Sequence, residues 1–165
     1  MRDLALHYVG RFATSRAKLV TYLKRKLIER GWGGAGAADP VGVADRLAEL
    51  GYIDDAAYAA AKARTLGARG YGVRRVSSAL YAAGIGEDDR VGAIDVAEAG
   101  AVDAALRFSQ RKRIGPYALK ELDPVARQKA LAAMLRAGHS FALARAIMAL
   151  KPGTVPDPEE LSTAR

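Results

Sequence analysis

Cysteine is absent from the 165 residues, which removes disulfides, thiolate nucleophiles and Cys-based zinc sites together. Histidine occurs twice, at His7 and His139, too far apart for a His-x-x-x-His metal pair. Aromatic residues make up only 7% of the chain. No apolar run approaches the ~20 residues that span a bilayer. The N-terminus also lacks the apolar stretch and small-residue cleavage site of a secretory signal. These absences point to a soluble, cytoplasmic chain without metal or membrane chemistry. What is present in quantity is alanine, within a sequence that is 50% hydrophobic. That composition supports a packed core and favours helices over sheets. Lys and Arg number 26 against 18 Asp and Glu, a formal charge of +8. A balance of this size leans toward an anionic partner, although the same number also serves solubility.

The chain reads as all-α, built from three copies of one three-helix unit over 1–52, 53–100 and 101–152. A C-terminal tail of 153–165, which follows Pro152 and contains Pro156 and Pro158, is expected to be flexible. The first cycle has helices over about Leu4–Arg11, Arg16–Arg30 and Val41–Leu50. Asp39 is placed to cap the third of these, with Pro40 at its first position. The second cycle starts at Asp54 and Asp55 and runs to about Leu66. It continues over about Gly72–Ala83 and from Glu87 or Asp88 to near Gly100. The third has Asp103–Arg113, then Pro124–Ala137 behind Asp123, then a Ser140-capped helix to about Leu150. Three anchors recur in order. Tyr8, Tyr58 and Phe108 sit in the first helices at intervals of 50, and Gly31, Gly84 and Gly138 close the second helices. Leu27, Leu80 and Met134 stand four residues before those glycines. A unit of this size is too small for a complete core, so stacked units would share one along an elongated, curved rod.

Charge follows the same order. On the second helix Val20, Leu23 and Leu27 share one side at 100° per residue, flanked by Leu19. Lys18 and Arg25 fall nearly opposite, with Lys24 and Lys26 on the shoulders and Arg16 at the helix start. The second cycle adds Lys62, Arg64, Arg69, Arg74 and Arg75 with no acid between them. The third adds Arg107, Arg111, Lys112, Arg113 and Lys120. Acids collect in caps and third helices, such as Asp45, Glu49, Glu87, Asp88 and Asp89. Each cluster alone reads as a solvated face. Three at matching positions suggest an extended anionic contact such as a phosphate backbone.

Motifs for chemistry are missing. The stretch Trp32-Gly33-Gly34-Ala35-Gly36 has no Gly-Lys-Ser/Thr ending and follows no strand, so it reads as a linker. Asp54-Asp55 and Glu87-Asp88-Asp89 are neighbours at helix starts, where capping and the helix dipole account for them. His7 reads as a partly exposed helix residue and His139 as a turn residue, neither in any triad order. Tyr71, between two glycines, fits packing across the interhelix turn, or alternatively stacking on a base or partner. No enzyme is expected, and no cofactor.

The string Leu50-Gly51-Tyr52-Ile53-Asp54-Asp55, with Tyr58-Ala59 after it, resembles the signature of the RecX family of recombination regulators. Arg69-Gly70-Tyr71-Gly72-Val73-Arg74-Arg75-Val76, running on to Leu80 and Gly84, resembles that family's second block. Upstream, Arg11, Ser15, Leu19 and Leu27 within Tyr8–Leu27 are similar to its opening helix pair. The resemblance covers roughly 4–90, and more loosely Arg111–Pro116 and Asp123–Ile147. Lys18 departs from it, since the family commonly has an acid there.

The resemblance implies three tandem three-helix units and a non-enzymatic modulator of RecA in DNA repair and the SOS response. Such a protein would lodge along the RecA–DNA filament and slow its extension, ATPase and strand exchange. The implied partners are the RecA filament and, as part of it, single- and double-stranded DNA, met by a monomer. Contact candidates come from the charge pattern: Arg16, Lys18, Lys24, Arg25, Lys26, Lys62, Arg64, Arg69, Tyr71, Arg74, Arg75, Arg111, Lys112 and Arg113. Two other readings remain open on the residues alone, a basic helical DNA binder that acts without RecA and a plain helical scaffold.

Overall fold

A computed structural model describes residues 1–164 and is all-helical over them. Ten α-helices follow in order: α1 (Arg2–Val9), α2 (Arg16–Arg30), α3 (Pro40–Glu49), α4 (Asp55–Ala68), α5 (Val73–Ala82), α6 (Glu87–Ala99), α7 (Ala101–Lys112), α8 (Pro124–Arg136), α9 (Phe141–Ala149) and α10 (Pro158–Ser162). A 3-10 turn over Gly115–Tyr117 separates α7 from α8. Arg165 lies outside the described residues.

Local chemistry explains most helix ends. Ser15, Asp39, Asp54, Asp123 and Ser140 each accept a backbone N–H from the first turn that follows, at 2.7–3.3 Å. Pro40 and Pro124 occupy first helical positions, where the missing N–H costs nothing. At the other end, Gly84 and Gly138 adopt φ of +69° and +95°. In each case the next residue's N–H reaches back five positions, Ile85 to Leu80 O and His139 to Met134 O, which satisfies otherwise orphaned carbonyls. Arg113 makes the same turn at φ +52° without being glycine.

The buried apolar residues form three clusters that share no member. Ala5, Leu19, Leu23, Ala44, Leu47 and Ile53 fill the first, among α1–α3. Ala59, Ala63, Val76, Leu80, Ala83, Ile85 and Ala93 fill the second, among α4–α6. The third lies among α7–α9, with Phe108, Met134, Leu143 and Ile147 at its centre. Alanine on α4 and α6 lets those two helices pack closely, trading side-chain bulk for backbone proximity. In the first triplet the buried stripe of α2 is Leu19 and Leu23, both fully buried, while Val20 and Leu27 are half-buried. The expected Val20–Leu23–Leu27 side is therefore rotated, because the i, i+4 pair Leu19/Leu23 meets Ala44 and Leu47. Helix α1 ends at Val9 rather than Arg11, leaving Phe12 beyond it and 55% exposed.

Neighbouring triplets meet in the same way twice. The start of α2 docks on the corner after α5: Ser15 Oγ donates to Ala83 O at 2.6 Å, and a Cβ on Gly84 would stand 2.3 Å from Ala17 Cβ. The start of α5 docks on the corner after α8: Gly72 N–H donates to Ala137 O at 2.9 Å and Arg74 N–H to Gly138 O at 3.1 Å. A Cβ on Gly72 would lie 2.4 Å from the Gly138 carbonyl carbon. The corner after α2 has no such neighbour. Gly31 has nothing within reach, and the chain leaves it through a glycine-rich loop where Trp32 Nε1–H donates to Gly36 O.

His139 sits at the second junction. It is 2% exposed, edge-on to Phe108 at 5.5 Å, with Nε2 3.2 Å from Gly70 O. A carbonyl only accepts, so Nε2 carries the proton and Nδ1 holds a lone pair with no partner among the described residues. The turn residue of the sequence reading is thus a buried joint. The segment read as a flexible tail also differs from expectation. Asp157 caps α10, and Leu161 is buried in the third cluster, because one apolar side chain there finds an open edge between α7 and α9.

Two outcomes follow for stability. Gly138→Ala, which puts a Cβ 2.4 Å from Arg75 N at a positive φ, should cost about 2 kcal/mol or more. Gly33→Ala, in open space at an ordinary φ, should stay within about 0.5 kcal/mol in the same urea titration followed by circular dichroism. Burial holds the His139 pKa below its ordinary 6.5, against a smaller opposing effect of Gly70 O. The unfolded chain therefore binds the proton more readily, so the stability from neutral His139 is complete above pH 6.5 and declines as pH falls below it. Urea midpoints at pH 7.5 and 5.5 should differ in the wild type, and His139→Asn should shrink that difference. An undiminished difference would place the titrating group elsewhere.

Candidate functional site

The fourteen candidate contacts divide into two kinds once placed on the fold. One kind holds triplets together. Arg16 donates its backbone N–H to Asp55 at 2.8 Å and its guanidinium to Asp45 at 3.1 Å. Lys18 Nζ reaches from α2 to Tyr58 OH on α4 at 2.7 Å and lies 5.2 Å from that ring's centre. A base at this position therefore bridges the first two triplets. Arg111 on α7 donates to Arg69 O at the end of α4, and also lies over Phe108 at 5.6 Å. Tyr71 is half-buried against the third cluster, with Arg75 over its ring at 5.9 Å. That is packing across the turn, as the glycines on either side of it suggest. Arg74 lines a cavity of about 410 Å³ beside Gly72, His139 and Leu143 at the second junction.

The other kind projects outward. Lys24, Arg64 and Lys112 are exposed on three different helices, α2, α4 and α7. Arg25 and Lys26 belong to a surface group on α2. Both pair with Glu29 and both lie near the Tyr22 ring, at 5.7 and 6.0 Å. The Lys26 ammonium beside Glu29 holds that carboxyl below the usual carboxylate range. Arg113 is exposed at the left-handed turn that ends α7. Lys62 is half-buried and faces a groove between the first two triplets.

Charge is distributed less evenly than three matched clusters suggest. Residues 1–52 hold nine Lys and Arg against five Asp and Glu, 53–100 hold six against seven, and 101–152 hold ten against three. The second triplet is offset by Glu87, Asp88, Asp89, Asp95 and Glu98, all on α6. The third triplet is the strongly basic one. There Lys120, Arg127 and Lys151 line one shallow cavity of about 180 Å³ together with Glu121. None of these three stood among the contact candidates. They come from a loop, from α8 and from the chain after α9; Lys120 was read with the third basic cluster, whereas Arg127 and Lys151 belong to no local run and only the segment's charge balance points to them.

Of the paired carboxylates, Asp54 caps α4 and Asp55 takes the Arg16 N–H, while Glu87–Asp89 lie in the first turn of α6. Each has a structural partner or a favourable helix dipole. Among the described residues, no group of three or more His, Asp or Glu is placed to hold a metal. No helix there is long and apolar enough to cross a membrane.

No family model matches the chain. It is, however, 30% identical over 162 aligned positions to a protein named Regulatory protein RecX from Myxococcus xanthus (strain DK1622), with 92% of this chain and 86% of that one covered. That likeness runs through all three triplets and extends past the blocks at 50–59 and 69–84. With nearly the whole length of both proteins aligned at that identity, the chain belongs to the RecX family.

Proposed function

We propose that the chain is a non-enzymatic regulator of RecA in the cytoplasm, acting in DNA repair and the SOS response. Its three triplets, near 1–52, 53–100 and 101–152, would form a curved rod that lies in the groove of a RecA–DNA filament as a monomer. From there it slows filament extension, ATPase and strand exchange. Full-length similarity to a protein named Regulatory protein RecX carries this reading. The two junctions support it, because each sets the start of one helix on the corner that ends another, and a repeated docking mode builds a shape with a regular advance, suited to a helical partner.

The outward cations Lys24, Arg64 and Lys112 are the contacts we assign to the filament, with Arg25, Lys26, Lys62 and Arg113 beside them. Arg16, Lys18, Arg69, Tyr71, Arg74, Arg75 and Arg111 contribute by setting the curvature that presents those contacts. The basic third triplet favours a second reading, in which the chain binds DNA without RecA.

Titrating the purified chain into preformed RecA filaments on single-stranded DNA should lower the ATPase rate at micromolar concentration and block strand exchange. A rate that stays constant throughout, with tight salt-sensitive DNA binding in the absence of RecA, would favour the second reading instead. The triple reversal Lys24→Glu, Arg64→Glu and Lys112→Glu changes exposed side chains only. It should leave the helical circular dichroism intact and weaken inhibition at least about fivefold, with the deficit shrinking as salt is raised.

A further inference from the structure

The string that carries the first block of the resemblance, Leu50 to Asp55 with Tyr58, has no task in the packing that requires an aromatic at position 52. Tyr52 is 58% exposed. It lines an open groove of about 560 Å³ between the first two triplets, opposite residues that follow α1. Phe12, 55% exposed, lies along the same groove, and Ile53 and Tyr58 line it further in. Two large rings half-open on one groove are an uncovered apolar surface of the kind that marks a contact site.

One cation enters this groove. Lys62 is half-buried there and makes no ion pair or hydrogen bond with another described residue. A lysine on the groove whose charge has no partner there is placed to receive an anion. Asp54, the only carboxylate lining the groove among the described residues, is engaged with the Ala57 N–H at 2.7 Å. Asp54 also bears on the kind of anion. Its charge on the groove repels a polyphosphate backbone. A single carboxylate next to a bulky apolar side chain meets both demands, with the ring or branched chain between Phe12 and Tyr52 and the charge on Lys62.

We propose that this groove receives a segment of the partner protein, bearing one bulky apolar side chain and a neighbouring Asp or Glu, and that nucleic acid does not enter it. The inference rests on the RecA-regulator reading, which makes that segment part of RecA. It adds a position that charge does not reveal, since Phe12 and Tyr52 carry none.

The test uses the whole chain with Phe12→Ala, Tyr52→Ala and Lys62→Glu as single variants, checked by circular dichroism. Tyr81→Ala, 76% exposed and away from the groove, serves as control. Each groove variant should raise the concentration that halves RecA ATPase by about tenfold, while Tyr81→Ala leaves it unchanged. Affinity for single-stranded DNA without RecA should be the same in all five proteins. Wild-type inhibition that none of the three variants weakens overturns the groove and leaves the regulator reading standing. A parallel loss of DNA affinity in Phe12→Ala and Tyr52→Ala also overturns it, and makes the rings a base-stacking platform. A wild-type chain that neither binds nor slows RecA overturns both readings together.

Discussion

Backbone at the start of one helix lies against backbone at the end of another, and the arrangement of the three triplets depends on that approach. Helix ends leave carbonyls without partners, and helix starts leave N–H groups without partners. Here the two deficits meet. Ala137 O and Gly138 O accept from Gly72 and Arg74, and Ala83 O accepts from the Ser15 hydroxyl. Contact this close tolerates almost no side chain, which is why glycine or alanine stands at 17, 72, 83, 84, 137 and 138. Small residues that look like mere helix stops are thus the joints of the molecule.

That constraint also sorts the positive charges. Arginine and lysine have long stems that can span a junction and place a donor on a carbonyl, a hydroxyl or a carboxylate beyond it. Arg16, Lys18 and Arg111 do this, so their charge is partly committed before any partner arrives. The remaining cations are spread over α2, α4 and α7 and concentrated in the third triplet. The acidic α6 interrupts them. A surface of alternating balance discriminates between partners better than a uniformly basic one, because a misplaced polyanion meets repulsion in the middle.

Much of the fold was legible. Caps such as Asp39-Pro40 and Asp123-Pro124, and glycines at 84 and 138, mark helix limits through mechanisms that act within a few residues. What stayed hidden depends on distance. Nothing near His139 in sequence says that Gly70 and Phe108 will enclose it. The buried side of α2 shifted to Leu19 and Leu23 because α3 decides it from outside the helix. Leu161 looked like part of a proline-rich end until α7 and α9 offered it a gap. For the candidate surface, side-chain type identified the cations, but only the junctions separate those that tie triplets together from those that project. Tyr52 was read as a signature letter, and nothing near Phe12 in sequence ties the two together. Their shared groove exists only once α1 stops short.

Three clusters of buried residues with no common member have a consequence for how the chain comes apart. Cooperativity between the triplets passes through the two joints and the contacts of α7 with α4 and α6 rather than through a common core, so melting need not be a single event. The second joint is knitted by two backbone bonds, the enclosed imidazole and Tyr71 packed into the third cluster. The first rests on one hydroxyl and a few polar reaches. The leading triplet is therefore the piece set to fray or swing on its own. The one tryptophan, Trp32, lies in that triplet beside its glycine loop. Its fluorescence reports on that end alone, whereas ellipticity averages over the whole chain.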